Sequence, residues 1–371
     1  MSTIQSSEDE SPLQDVTIVD TDVHVTFRGG TYGPKVAEQM DWPYEVLMDP
    51  TEKYGGYNFP SSGYHSTIPD KISVFDAEKE LSQKESIEQE LIDGLGVDYP
   101  LLNMTPMWDV YPDSEQILQE MPATNNVLLE EFLEPHDDYF GLISIAMRYP
   151  DKAAEEIDRL ADEDKLVGVM IHPGGQTRSL GDRRYDPIWA AAEDNGLPVA
   201  FHTTASGFQW QMGNIMQGMH TMIELHGLSH PWSMMWALAS FMANGTPAKF
   251  PDLDFVMLEA GISWVPFMMS RMNREYSTWR SQSPLLEQMP EDYIRDQFYF
   301  STQPLGEFNR PAYMKDIIDI VGADSIMFSS DHPHFDFDNP ETIRGYFNHM
   351  SEEEQELVFS QNAIDVFDLP I

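Results

Sequence analysis

Eight short apolar runs alternate with helical stretches along this chain, and the alternation constrains the fold more than any other feature. Each run is typical of a buried strand. Alternating strands and helices indicate a parallel sheet. The number of predicted strands, eight, favours a closed (β/α)8 TIM-like barrel over an open sheet. The predicted strands are Val16–Val25, Tyr99–Met104, Tyr139–Ala146, Leu166–Ile171, Leu197–Phe201, Asp254–Leu258, Gln297–Ser301 and Ser325–Ser330.

The stretches between the strands have helical spacing, and they set the predicted domain organisation. The predicted helices are Ala77–Leu95, Ser114–Glu134, Ala153–Ala161, Pro187–Asn195, Gly218–Asn244, Trp264–Arg280 and Ala312–Val321. Residues 15–371 contain neither an internal repeat nor a linker, so we expect one domain preceded by a disordered acidic tail at 1–14. Residues 26–78 are rich in Gly, Pro, Tyr and Asp without helical period, which predicts an insertion after the first strand that serves as a lid or binding loop.

The charge of the chain excludes several classes of function. With 63 acidic and 21 basic residues among 371, the formal net charge is −42. A nucleic-acid-binding protein would need the opposite sign. Acids spread along the whole chain indicate a solvated surface of the halophilic kind, which remains soluble where salt screens its self-repulsion.

The sequence has no apolar run long enough for a membrane span and no secretory signal, so we expect a cytoplasmic protein.

Five acidic or histidine residues stand at the ends of four predicted strands: Asp22, His24, His202, Glu259 and Asp331. In a parallel barrel these ends meet at one face, where catalytic groups gather. Because the chain has no cysteine, any metal would have nitrogen and oxygen ligands, which suit Zn²⁺, Mn²⁺ or Fe²⁺. Taken singly, each residue could equally be a hydrogen-bonded core or rim residue.

Three segments resemble the amidohydrolase superfamily: Asp20–His24, Leu197–His202 and Phe328–His334. The similarity is to the branch that includes aminocarboxymuconate-semialdehyde decarboxylase and γ-resorcylate decarboxylase, and it is supported by Tyr185–Ala192 and Gly261–Arg271. The resemblance implies a distorted (β/α)8 barrel that holds one divalent metal ion, usually zinc. Its ligands in this chain would be Asp22, His24, His202 and Asp331.

The chain departs from the pattern of that family at two strand ends. Asp22 stands where histidine or glutamate is usual, and Glu259 stands where a histidine usually moves a proton. A buried glutamate can also move a proton, provided that its pKa is raised. The fourth strand lacks the lysine that bridges two metals in binuclear relatives, so the resemblance predicts one ion.

The resemblance implies non-oxidative decarboxylation of an unsaturated or aromatic carboxylic acid, with Glu259 and Asp331 as catalytic residues. The alternatives are metal-dependent hydrolysis of an ester, lactone or amide, and a barrel that binds metal without chemistry. The expected partner is therefore a small-molecule carboxylate. Similar enzymes are commonly dimers, so a homodimer is the assembly expected by analogy.

Several cationic or imidazole side chains are candidates for contact with the substrate. Arg28 offers a bidentate fork for a carboxylate, with Arg148 as its rival, and either could instead pair with surface acids. His172 ends the fourth strand and either lines the pocket or makes a hydrogen bond at its rim. His220 shares a helix face with Glu224, so it either contacts substrate or belongs to a helix that packs over the barrel.

Overall fold

The computed structural model describes residues 16–25, 33–40, 82–104, 114–172, 178–203, 222–306, 310–334 and 336–371. Of the predicted insertion at 26–78 these ranges include 33–40 alone, and Arg28 and His220 lie outside them. The segment 33–40 contains a short helix whose Val36 is fully buried. This helix was not predicted from the sequence, and the insertion as a lid or binding loop stays a prediction.

Eight parallel strands follow one another around the sheet in the order of the sequence, which confirms the predicted (β/α)8 barrel. The strands are β1 (Val19–His24), β2 (Tyr99–Asn103), β3 (Phe140–Ser144), β4 (Leu166–Ile171), β5 (Val199–His202), β6 (Phe255–Leu258), β7 (Phe298–Ser301) and β8 (Ile326–Met327). Strand β8 is shorter than predicted because the backbone N–H of Phe328 donates to Val358 O (2.8 Å), in the C-terminal helical region, and not to a neighbouring strand.

The first and last strands meet and bring the barrel close to closure. The backbone N–H of Thr21 donates to Phe328 O (3.2 Å), and that of His24 donates to His332 O (2.8 Å). A parallel bridge also joins Val23 to His332. Residues from opposite ends of the chain thus share one face of the barrel.

Helices occupy the connections between the strands. The described α-helices are α1 (Gly33–Glu38), α2 (Gln83–Ser86), α3 (Asp93–Leu95), α4 (Ser114–Leu128), α5 (Pro150–Leu160), α6 (Asp186–Asp194), α7 (Met222–Asn244), α8 (Thr246–Lys249), α9 (Val265–Trp279), α10 (Pro290–Gln297), α11 (Pro311–Val321), α12 (Pro340–Tyr346), α13 (Glu352–Glu356) and α14 (Asn362–Val366). Wider π-helical turns occur at Ile87–Ile92, Leu129–Leu133 and Leu357–Gln361, and 3₁₀ turns at Arg183–Tyr185, Arg280–Gln282 and Ala323–Ser325. Among these described helices, none is both long and apolar enough to cross a membrane.

Prolines explain one feature of each of two helices. Helix α5 begins at Pro150, three residues before the predicted Ala153, because proline is well tolerated at the first helical position. Helix α7 continues through His230 and Pro231, as the predicted helix Gly218–Asn244 requires, although a proline inside a helix usually kinks or ends it. A proline leaves the carbonyl four residues earlier without its helical partner. Here that residue is the exposed Gly227, where water can reach the carbonyl.

The apolar core has two layers. The inner layer draws on strand residues such as Leu101 and Val256, and it is closed at one end by Ala363 and Phe367 of the C-terminal helical region. The outer layer lies between strands and helices and includes stacked aromatic rings, with Phe255 5.0 Å from both Phe241 and Phe298 between ring centroids. Packing on both faces holds the strands rigidly, so the side chains at their C-terminal ends have fixed positions.

Candidate metal centre

The structure brings four of the predicted side chains together at the C-terminal ends of the strands. His24 is the last residue of β1, and His202 is the last of β5. Asp22 also lies on β1, and Asp331 follows β8. All four are at most 2% exposed, and one ligand atom from each lies within 4.8 Å of the other three. We refer to Asp22, His24, His202 and Asp331 as the four-residue cluster.

Distances within the four-residue cluster fit a shared ion. His24 Nε2 lies 2.8 Å from Asp331 Oδ1 and 3.1 Å from His202 Nε2, and His202 Nε2 lies 3.4 Å from Asp22 Oδ2. Ligand atoms around a tetrahedral Zn²⁺ with bonds of about 2.0–2.1 Å are roughly 3.3 Å apart. The Nε2 atoms of His24 and His202, 3.1 Å apart, point at each other. A cation bound by both nitrogens would stabilise this arrangement.

The hydrogen bonds around the four-residue cluster leave His202 Nε2 and Asp22 Oδ2 directed at its centre. His202 Nδ1 donates to the carbonyl of Thr203 (2.7 Å), which leaves the lone pair of Nε2 facing the centre. Asp22 Oδ2 is buried without a hydrogen-bond partner. Among the described residues, no Lys or Arg pairs with either Asp22 or Asp331, so their negative charges have no fixed cationic partner. Two imidazoles and two carboxylates with these orientations fit a divalent cation.

Two amides that orient the carboxylates escaped prediction from the sequence. Asn103 Nδ2, at the end of β2, donates to Asp22 Oδ1 (2.6 Å). Gln303 Nε2, shortly after β7, donates to Asp331 Oδ2 (3.1 Å). Both side chains are completely buried. Their position at the ends of predicted strands is the signal that could have identified them, but an amide has no acid–base chemistry that would draw attention.

His334 contacts the carboxylate of Asp331, and Asp20 binds the backbone next to Asp22 and Asp331. His334 Nδ1 lies 2.6 Å from Asp331 Oδ1, which is the hydrogen bond expected of a residue that orients the loop after β8. Asp20 accepts from the backbone N–H of Ser330 (2.9 Å) and of Asp22 (3.2 Å), and so joins β1 to the segment that carries Asp331.

Glu259 lies beside the four-residue cluster, directly after β6. Its Oε2 is 3.5 Å from His202 Nε2, and its Oε1 is 3.3 Å from His230 Nε2. Glu259 and Asp331 both have left-handed backbone conformations, with φ of 53° and 62°. Non-glycine residues in that region carry a cost of order 1 kcal/mol, and such conformations concentrate at functional sites. The strand ends are therefore turned so that both carboxylates enter the mouth of the barrel.

Burial and mutual charge shift the protonation of these groups. Burial lowers the pKa of His24 to about 4, with His334 acting in the same direction. Burial also disfavours the charged form of His202, but Asp22 and Glu259 outweigh it and raise the pKa of His202 to about 9. Burial raises the pKa of Glu259 well above its usual range. For Asp331 burial acts upward, yet His334 and His24 hold its pKa well below the usual range.

The remaining candidates occupy different positions. His172 is buried, and its Nδ1 donates to the carbonyl of His202 (3.2 Å), whereas its Nε2 has no hydrogen-bond partner. Arg148 is partly buried, and its carbonyl accepts from Arg184 (3.1 Å). His332, which follows Asp331, is buried and lies 3.4 Å from Glu90 of the π-helical turn Ile87–Ile92. The ring of His172 lies beside that of His202 in the four-residue cluster.

An eight-stranded parallel barrel with buried imidazoles and carboxylates at its C-terminal mouth is the architecture of an amidohydrolase-type enzyme. The sequence profile of the family described as Amidohydrolase matches residues 91–369, which is 279 of the 371 residues. The chain belongs to this family, and it is an enzyme of the carboxy-lyase or hydrolase kind.

Decarboxylases are prominent among the similar proteins. The chain is 26% identical over 280 residues to γ-resorcylate decarboxylase from a Rhizobium species, covering 70% of this chain and 79% of that one. It is 26% identical over 309 residues to γ-resorcylate decarboxylase from Rhodococcus jostii, covering 77% and 88%. A crystal structure of dihydroxybenzoic acid decarboxylase from a Polaromonas species, with bound manganese and the inhibitor 2-nitroresorcinol, has a TM-score of 0.68 at 20% identity, covering 96% and 98%.

Proposed function

We propose that this protein is a divalent-metal-dependent, non-oxidative decarboxylase of a small aromatic carboxylic acid. The observation that carries the proposal is the four-residue cluster, in which four buried ligand atoms from β1, β5 and the end of β8 lie within 4.8 Å of one another. The similarity to γ-resorcylate decarboxylases supports the choice of reaction.

Asp22, His24, His202 and Asp331 would hold the ion. Two carboxylates make this a harder set of ligands than the histidine-rich set usual in the family, and carboxylates suit Mn²⁺. Imidazole suits Zn²⁺ equally, so elemental analysis of purified protein decides between them. When bound, such an ion supplies Lewis acidity toward an oxygen atom of the substrate.

Glu259 would supply the proton that replaces the carboxylate group. It is 6% exposed and stands at the edge of the four-residue cluster, and burial raises its pKa well above the usual range, which favours the protonated form. The carboxylic acid of Glu259 would protonate the ring carbon that bears the substrate carboxylate. The bond from that carbon to the carboxylate then breaks, its electron pair returns to the ring, and CO₂ leaves. Glu259 remains as a carboxylate and regains a proton from solvent before the next turnover.

His172 would contact the substrate from β4. Its Nε2 is buried without a partner, and the ring centroids of His172 and His202 are 5.5 Å apart. A buried nitrogen without a hydrogen bond is costly unless a ligand or water satisfies it. A polar group on the aromatic acid would meet that requirement.

The test compares CO₂ release with hydrolysis in one protein preparation. Chelator-treated full-length protein is reloaded with Mn²⁺ or Zn²⁺ and assayed for CO₂ from hydroxybenzoic acids, and for acid release from esters and lactones. We expect the wild type to release CO₂, and His202→Ala and Glu259→Gln to lose this activity while they still fold. The control His349→Ala, which changes an exposed histidine, should keep it. CO₂ release that persists in chelated protein or in Asp331→Ala, or hydrolysis alone, would contradict the proposal.

A further inference from the structure

Helix α7 presents two histidines to Glu259 at the mouth of the barrel. His226 and His230 are four residues apart, so they share a helix face, and their ring centroids are 4.2 Å apart. One nitrogen from each ring and one oxygen of Glu259 all lie within 4.8 Å of one another. His230 and Glu259 are almost fully buried, and His226 is partly buried.

The hydrogen bonds of His230 fix which nitrogen faces Glu259 with a lone pair. His230 Nδ1 is 3.0 Å from the carbonyl of His226, and a carbonyl only accepts, so the proton is on Nδ1. The hydroxyl of Ser229, also 3.0 Å from Nδ1, can accept from the same proton. His230 Nε2 then directs its lone pair toward Glu259 Oε1 at 3.3 Å. Two acceptors so placed need either a proton or a cation between them.

The surroundings of this histidine pair are strongly negative. Asp336 Oδ2 lies 3.4 Å from His226 Nε2, and Asp336 Oδ1 is buried without a hydrogen-bond partner. In the described part of the chain, the ion pairs of Glu259 and Asp336 are with histidines and not with Lys or Arg. Two imidazoles four residues apart on a helix, with a glutamate from elsewhere, are also the ligands of three-ligand zinc sites.

We propose that His226, His230 and Glu259 form a second divalent-cation site beside the four-residue cluster. Glu259 stands between the two sites, with Oε2 toward His202 and Oε1 toward His230. The second site has three protein ligands against four, so it binds its cation more weakly. A cation there keeps Glu259 ionised and removes the proton that it would donate. Excess cation therefore inhibits the enzyme, and this consequence, unlike the site itself, rests on the proposed function.

The experiment counts Zn²⁺ bound by the chelator-treated full-length protein, by calorimetric titration. Molar KCl is present throughout because salt screens the acidic surface and suppresses unspecific binding. We expect two equivalents in the wild type, one strong and one weaker. His226→Ala and His230→Gln should each keep only the strong equivalent, His202→Ala should lose it, and the exposed His349→Ala should keep both.

The strong equivalent in each α7 variant also reports that the barrel is folded, since its ligands come from β1, β5 and the segment after β8. A wild type that binds one equivalent, lost in His202→Ala alone, would refute the second site and leave the proposed function intact. A second equivalent that survives in both His226→Ala and His230→Gln would refute it too, because the acidic surface would then be its source. Inhibition by excess Zn²⁺ should disappear in His226→Ala.

Discussion

Replacing Gln303 by leucine tests how the protein orients the carboxylate of Asp331. Gln303 is fully buried, and its Nε2 donates to Asp331 Oδ2 at 3.1 Å. Leucine fills a similar volume but offers no donor. A hydrogen bond to a charged group contributes about 1.5–3 kcal/mol. If this hydrogen bond stabilises the ion-bound state, its loss weakens binding of the ion by the same free energy. Because about 1.4 kcal/mol corresponds to a tenfold change in Kd, the Kd for the ion rises about 10- to 100-fold. Loss of residues that orient metal ligands has effects in the same range.

Gln297 supplies a matched control at the other end of β7. Its Nε2 donates to the carbonyl of Phe250 (2.8 Å), it is 5% exposed, and its Oε1 lacks a partner, as does that of Gln303. Gln297→Leu should therefore lower the free energy of unfolding by about 1 kcal/mol, as a neutral hydrogen bond does, without altering the Kd for the ion.

The assay is competition for Mn²⁺ against a coloured chelator, with thermal unfolding of the metal-free proteins measured in parallel. A Kd that is unchanged in Gln303→Leu would refute the orienting role. A Kd that rises equally in Gln303→Leu and Gln297→Leu would also refute it, because the effect would then come from general loss of stability.

Two further predictions concern stability. Burial raises the pKa of Asp254 from 3.8 to about 6, so its ionisation opposes folding at pH 7 but not below about pH 4, where it is protonated in both states. The shift corresponds to about 3 kcal/mol at 1.36 kcal/mol per pKa unit, which partial solvent exposure reduces to about 1–2 kcal/mol. Urea unfolding should show Asp254→Asn more stable than wild type by this amount at pH 7 and equal to it near pH 4; a constant difference would contradict the assignment. Because the net charge is −42, the Tm should be higher in molar KCl than in dilute buffer, and an equal Tm would reject the halophilic interpretation.

The sequence predicted the barrel and the convergence of the four-residue cluster because both follow from the alternation of apolar strands and from where each strand ends. The supporting amides could not be predicted in the same way. Asn103 and Gln303 acquire their roles only because the fold brings Asn103 Nδ2 to the carboxylate of Asp22 and Gln303 Nε2 to that of Asp331. His230 was missed because nothing in the sequence places its helix beside Glu259, which follows β6.

The seam between β1 and β8 gives the proposed ion a mechanical role as well as a chemical one. Thr21 and Phe328, which are bonded across it, are 307 positions apart along the chain. Three of the four proposed ligands lie at this seam, Asp22 and His24 on β1 and Asp331 after β8, so the ion would join the two strands that close the barrel. Its removal would weaken the closure of the barrel along this seam.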